Sequence, residues 1–275
     1  MSDFDTALLA EAGAVEPDGD GLYRVTLAPQ FTAFGHPTGG YLQCVMASAA
    51  LAAASAQGAT HLHATAVSTN FISAPEVGSA SVSARVRRVG RRASFVHVTL
   101  TQEDVVTTES LVTLGSLSES SRPRYQSSVA PDIAALDQCT VLVAQDELNF
   151  HQVMEFRGDP SASKWWDGER GSGEMILWMR LGDGGKPWDP WSTLFASDAM
   201  PPATIPLGSS GWVPTLQLTS YIRRVPASEW LRARQWCVVV ADGLVDERCE
   251  LFDESGELVA SSSQLAMARF AKEES

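Results

Sequence analysis

Between Tyr41 and Ala56 the chain is apolar on every side. Ala, Leu, Met and small residues follow one another without a polar face to give to water, so a helix here has to be surrounded rather than laid on a surface. His36-Pro-Thr-Gly-Gly40 marks its start. Gln43, Ser48 and Ser55 interrupt the stretch, and it is shorter than the roughly 20 residues a bilayer requires. The reading is therefore a buried helix. What surrounds it follows directly: four runs of strand character, Leu62 to Ile72, Ser79 to Val89, Ala93 to Glu103 and Val105 to Leu114. Val96-His-Val-Thr-Leu-Thr101 alternates as a half-buried strand does, and Gly78 and Gly90 stand where turns are needed. A short β-favouring stretch from Gly21 to Phe31 precedes the helix.

The second half repeats this grammar. After a Ser-rich tract, Ser116 to Ser128, that reads as linker, Asn149 to Arg157 and Gly173 to Leu181 have strand character. Ser192 to Met200 is a short helical pattern stopped by Pro201-Pro202. Thr215 to Arg224, Trp230 to Val240, Leu244 to Asp253 and Glu257 to Arg269 then read as four more strands. At an offset of about 150, Thr65 falls on Thr215, Thr69 on Thr219, Phe71 on Tyr221 and Ile72 on Ile222, a period suited to a duplicated domain. With small insertions, Pro75 meets Pro226 and Gly90 meets Gly243. The expected division is a first unit over 1–118, a linker over 119–144 and a second unit over 145–275. A long antiparallel sheet with one wholly apolar helix has a physical solution, in which the sheet curls around the helix.

Composition narrows the function. With 275 residues, 44% hydrophobic and 19% charged, the chain has the makeup of a globular protein that buries a full core. Its 20 Lys+Arg against 33 Asp+Glu leave a net charge of -13, which argues against holding nucleic acid or an anionic membrane by the overall field. The tract from Arg85 to Arg92 is the place for a local basic patch. Cys44, Cys139, Cys237 and Cys249 lie far apart without a CxxC and read as small buried hydrophobes. His61 and His63 share a strand face but lack a third ligand, so no metal site is expected. There is no G-x-S-x-G elbow and no phosphate-binding loop. Met1-Ser-Asp-Phe-Asp lacks the basic and apolar regions of a signal peptide, so the expected location is cytoplasmic.

The chain resembles the acyl-CoA thioesterases of double hot-dog type, the thioesterase II group. The resemblance rests on Gly39-Gly40-Tyr41 opening the central helix, Asn70-Phe71-Ile72 with Pro75 and Gly78, and Val89-Gly90-Arg91 in the first half. In the second half it rests on Ala196-Ser197-Asp198, Thr215-Leu-Gln-Leu-Thr219, Ser228-Glu-Trp-Leu231 and Leu258-Val-Ala-Ser-Ser-Ser-Gln264. It implies an α+β fold, a double hot-dog of two tandem units, each a curved antiparallel β-sheet wrapped around a central α-helix. It also implies thioester hydrolysis by an Asp on the second helix, a Thr on the next strand and a Gln on the last, carried here by Asp198, Thr215 and Gln264. The carboxylate would take a proton from water while the other two hold that water. Gly39 and Gly40, at the positive end of the helix dipole, would meet the acyl carbonyl. The basic tract from Arg85 to Arg92 falls at an expected turn between two strands and reads either as a solvated hairpin or, with such a substrate, as the place where Arg91 and Arg92 would hold coenzyme A phosphates.

Departures from the family pattern are the tract before Gly39, with His36 and Pro37, Gln217, where relatives usually carry an Asp, and the Trp-rich stretch from Lys164 to Trp191. The substrate implied is an acyl-CoA, in lipid metabolism, with no cofactor, nucleic acid or membrane insertion. A homo-oligomer is compatible with two fused units that leave sheet edges. Two other readings stay open. One is an acyl-CoA or lipid-binding module without turnover. The other is a hot-dog dehydratase or hydratase, which would need a His beside the central helix, a place only His36 has.

Overall fold

The structure, a computed structural model, describes residues 6–118, 122–143, 147–182 and 188–270. The N-terminal residues 1–5, and 119–121 and 144–146 at the ends of the expected linker, lie outside them. Along the first unit run α1 (Thr6–Ala12), β1 (Glu16–Gly19), β2 (Leu22–Leu27), the short pair β3 (Thr32–Ala33) and β4 (His36–Pro37), and α2 (Gly39–Ala56). Then come β5 (His63–Phe71), β6 (Gly78–Val89), β7 (Ser94–Gln102) and β8 (Val105–Gly115). The second unit holds β9 (Thr140–Val141), β10 (Met154–Gly158), β11 (Glu174–Leu181), α3 (Pro190–Ala196), β12 (Thr215–Ile222), β13 (Leu231–Ala241), β14 (Leu244–Phe252) and β15 (Leu258–Met267).

All but β3 and β4 join one antiparallel sheet of 13 strands, in the order β1-β2-β6-β7-β8-β5-β12-β15-β14-β13-β11-β10-β9. The duplication is visible in that order. From the centre outwards, β5-β8-β7-β6-β2 on one side is mirrored by β12-β15-β14-β13-β11 on the other. The seam is the β5–β12 pair, where Ser68 faces Thr219 and their hydroxyls lie 2.9 Å apart. The apolar stretch is a buried helix, as its composition requires: Tyr41 to Ala47, Ala49, Ala50, Ala53 and Ala54 are all inaccessible to solvent or nearly so. The fully buried Gln43 crosses the seam, its Nε2 donating to Val67 O at 3.3 Å and Leu218 O at 3.2 Å, one carbonyl from each unit.

Three expectations need correction. The stretch from Asn149 to Arg157 is not one strand: Asn149–Gln152 forms a 3-10 turn that buries Phe150 and His151, and pairing begins at Met154. The expected linker is not free chain. Its last part supplies β9, Gln126 Nε2 donates to Gly256 O at 3.0 Å and Gln126 Oε1 accepts from Leu258 N at 2.8 Å. Of the cysteines, Cys44 and Cys249 are buried but Cys139 and Cys237 are only partly so. His61 and His63 are spent on separate hydrogen bonds, His61 Nδ1 with Ser94 Oγ at 3.0 Å and His63 Nδ1 accepting from Leu117 N at 3.0 Å.

Candidate active site

Helix α3 is short for a reason that shapes the site. Asp189 and Ser192 form a reciprocal capping box at its start, and Ser197 ends it after two turns. The chain then turns away towards Pro201-Pro202, which cannot continue a helix. Asp198 therefore stands just beyond the C-cap, two residues past Ala196 and in the turn, rather than on the helix itself. The turn is anchored: Ser197 Oγ donates to Ser220 Oγ at 2.8 Å, and Ser262 Oγ donates to Ser197 O at 2.7 Å. These bonds tie it to β12 and β15, the strands that carry Thr215 and Gln264.

Where α3 ends, α2 begins. The two helix ends approach so closely that a Cβ on Gly40 would meet the Phe195 carbonyl oxygen at 2.5 Å. The approach lets the Gly40 amide donate to Asp198 Oδ2 at 2.7 Å, and the Gly39 amide also turns to this carboxylate. Asp198 thus caps α2, where an anion is favoured by the helix dipole. Gly39 and Gly40 do sit at the expected helix end, but their amides hold a protein carboxylate. Burial pushes the Asp198 carboxyl up to about 7; the Gly40 amide opposes this, the charge of Glu247 adds to it, and the Gly39 amide opposes it again.

Thr215 opens β12 beside a register shift between Thr215 and Gln217. Such a bulge re-aims side chains. Thr215 and Leu216 both line the cleft, while Gln217 is turned out to solvent on the far face. Thr215 Oγ1 donates to Gln264 Oε1 at 3.1 Å. Asp198, Thr215, Gln264 and Gly39 share one cleft of about 480 Å³ that both units line. Phe34, Phe71 and Phe150 add apolar walls, and His36 stands in it, stacked on Trp212 with ring centres 5.2 Å apart.

Two groups of residues fall differently from their sequence reading. The Trp-rich stretch, unmatched before, supplies Trp165 and Trp166 to the cleft from a single 3-10 turn over Lys164–Asp167, with Trp166 stacked on the buried His151. Arg91 and Arg92 are not at the cleft. They lie in the β6–β7 turn beside Ser94, whose partner Leu114 pairs with Ala64 at the start of β5, whereas the cleft meets β5 at its other end, at Phe71. Seven residues of strand separate Ala64 from Phe71, about 23 Å. Among the described residues that line the cleft there is no Lys or Arg. Glu247, fully buried behind Gln264, escaped the sequence reading altogether.

Two curved antiparallel units, each closed on a helix and joined by their central strands around a shared cleft, define the double hot-dog class. The chain belongs to the acyl-CoA thioesterase family: the family's N-terminal domain matches residues 27–115 and its C-terminal domain residues 131–268. An uncharacterised protein of Mycobacterium tuberculosis is 30% identical over 249 residues, 83% of this chain and 84% of its own. Among solved structures, a candidate thioesterase II of Thermobifida fusca superposes with a TM-score of 0.85 at 31% identity, covering 95% of this chain and 97% of that one. A hot-dog protein of unknown function from Alicyclobacillus acidocaldarius gives 0.80 at 20% identity, over 96% of this chain and 98% of its own.

Proposed function

We propose that the chain hydrolyses the thioester of an acyl-CoA by general-base activation of water, with Asp198 as the base. The observation that carries this reading is the carboxylate of Asp198 at the amino end of α2, in the same cleft as the Thr215–Gln264 pair. In this reading Asp198 Oδ2 stays on the Gly40 amide and Oδ1 receives a proton from water. The water oxygen bonds to the acyl carbon, and the carbonyl electron pair moves to oxygen. Collapse of the tetrahedral species breaks the C–S bond, the electron pair leaves with sulfur, and the acid and the thiol share the released proton with solvent. A thiolate is a good leaving group, so no strong acid is needed.

The shared helix end gives the oxyanion its stabilisation. As Asp198 takes the proton its negative charge is lost, and the positive end of the α2 dipole, no longer offset by that charge, favours the charge growing on the acyl oxygen beside it. Negative charge thereby moves a short distance within one positive field. The apolar and aromatic walls favour an uncharged acyl group.

The test is release of free thiol from a panel of acyl-CoAs by the purified protein. Multiple turnovers on at least one uncharged acyl-CoA are expected; saturable binding with no thiol released would mark a binding module instead. In the same assay Arg91→Ala/Arg92→Ala is expected to leave KM within about twofold of the wild type, because exposed charges more than a Debye length, about 8–10 Å, away are screened. A tenfold rise in KM would return these arginines to the substrate.

A further inference from the structure

β14 alternates strictly, with Val245, Glu247, Cys249 and Leu251 turned inward, so a carboxylate takes a position that its neighbours give to apolar side chains. Glu247 is fully buried, and among the described residues it is amides rather than cations that turn to its carboxylate. Its register partner on β15 is Gln264, whose Nε2 donates to Glu247 Oε2 at 2.5 Å. Gln235 on β13 offers its Nε2 to the same oxygen at 3.4 Å while donating to Pro201 O at 2.9 Å. The backbone of Ala203 and Thr204 also turns towards the carboxylate. A buried anion without a cation is costly to keep, and buried polar groups of this kind are retained where they orient something.

We propose that Glu247 is a positioning residue, which fixes the Gln264 carboxamide so that Thr215 presents lone pairs rather than its proton to the attacking water. The proposal rests on the hydrolytic reading above. A carboxylate only accepts hydrogen bonds, so the amide edge facing Glu247 has to be the NH2. Gln264 Oε1 is then left for Thr215, and it takes the hydroxyl proton, in the 3.1 Å bond already described. Thr215 Oγ1 has only acceptor capacity left. A water between Thr215 and Asp198 therefore donates one hydrogen bond to each, of which only Asp198 takes the proton, and both its lone pairs are left to face the acyl carbon. Without Glu247 the carboxamide is free to flip by 180°. Gln264 would then donate to Thr215, and Thr215 would donate to the water, taking one of its two lone pairs, withdrawing electron density from the attacking oxygen and turning it away from the acyl carbon.

Three variants and two measurements decide the matter. Glu247→Leu is expected to lower kcat about 10- to 100-fold, the effect of one charge-assisted hydrogen bond, with KM within about twofold. Glu247→Gln keeps an acceptor opposite Gln264 and is expected to recover part of that loss. The titratable groups facing Glu247 are Asp198 from the turn after α3, Cys237 on β13 and Cys249 on β14. Loss of its negative charge in either variant moves the acid limb of the rate–pH profile, set by Asp198, to lower pH. Wild-type kcat in Glu247→Leu, or equal losses in both variants with the acid limb unmoved, would overturn the proposal. The second measurement needs no turnover. The Gln264 carboxamide protons, assigned by their disappearance in Gln264→Leu, are expected to show one downfield-shifted resonance that returns to the ordinary range in Glu247→Leu. An unchanged resonance overturns the proposal whether or not acyl-CoA is hydrolysed, and absence of hydrolysis in the wild type overturns the reading of Asp198 alone.

Discussion

Asp198→Asn is expected to reduce kcat for acyl-CoA hydrolysis by about a hundred- to ten-thousandfold, the span lost when a positioned general base is removed. The substitution keeps the shape and an acceptor oxygen for the Gly40 amide, so binding should survive. Its pH signature is as telling as its size. Burial raises the carboxyl to about 7, so the base is protonated and idle in acid, and the wild-type rate should climb as pH rises through neutrality. The stability change has the opposite sign. A carboxyl whose pKa is raised by folding binds its proton more tightly in the native state, so its contribution is greatest below the unfolded value and falls as pH rises through the folded one. Asp198→Asn should therefore be at least as stable as the wild type at pH 8, by thermal unfolding, while nearly inactive. An inactive variant that also melts early would assign Asp198 a structural role instead.

The second large effect belongs to the glycine pair. Gly40→Ala places a Cβ 2.5 Å from the Phe195 carbonyl oxygen and 3.0 Å from the Asp198 Cβ. A backbone oxygen held inside α3 cannot swing aside, so the two helices have to part. Overpacking of this kind costs about 1–3 kcal/mol, which in a chain of this size lowers the melting temperature by several degrees. The bond that holds Asp198 is lost with it. Gly39→Ala differs, because its Cβ would meet the ends of side chains, Asp198 Oδ2 and Phe71 Cζ, each at 2.9 Å. Those can move, so Gly39→Ala should melt near the wild-type temperature while losing most of its hydrolytic rate. Full activity and an unchanged melting temperature in Gly40→Ala would show that the helix ends do not meet as described.

The architecture was legible because its signals are periodic and local. Apolarity all round α2 demanded an enclosing sheet, and alternation with glycine turns delimited β5 to β8 and β12 to β15 to within a residue or two at most ends. What was not legible depends on contacts across the fold. The 3-10 turn at Asn149–Gln152 looks like strand because Phe150 and His151 are buried for tertiary reasons. Arg91 and Arg92 sit in a plausible cationic tract, but a linear sequence does not say which end of a sheet faces a cleft. The Gly39-Gly40 pair reads correctly as a helix start, whereas its partner, Asp198, is 158 residues away. Glu247 had a signal that went unused: a Glu in step with Val245, Cys249 and Leu251 on an alternating strand is a carboxylate aimed inward. Nothing local distinguishes Thr215 from an ordinary strand threonine, since the bulge that turns it into the cleft comes from its pairing with β15.

The central claim is that one water, held between Asp198 and the Thr215–Gln264 pair, attacks a thioester lying at the amino end of α2. The most direct measurement is a crystal structure of Asp198→Asn with an intact acyl-CoA bound. The account predicts the thioester carbon within about 3.5 Å of a water that touches both residue 198 and Thr215 Oγ1, with the acyl chain against Trp165 and Trp166. A thioester bound away from the α2 amino end, or one with the acyl chain itself filling the place of that water, would contradict it.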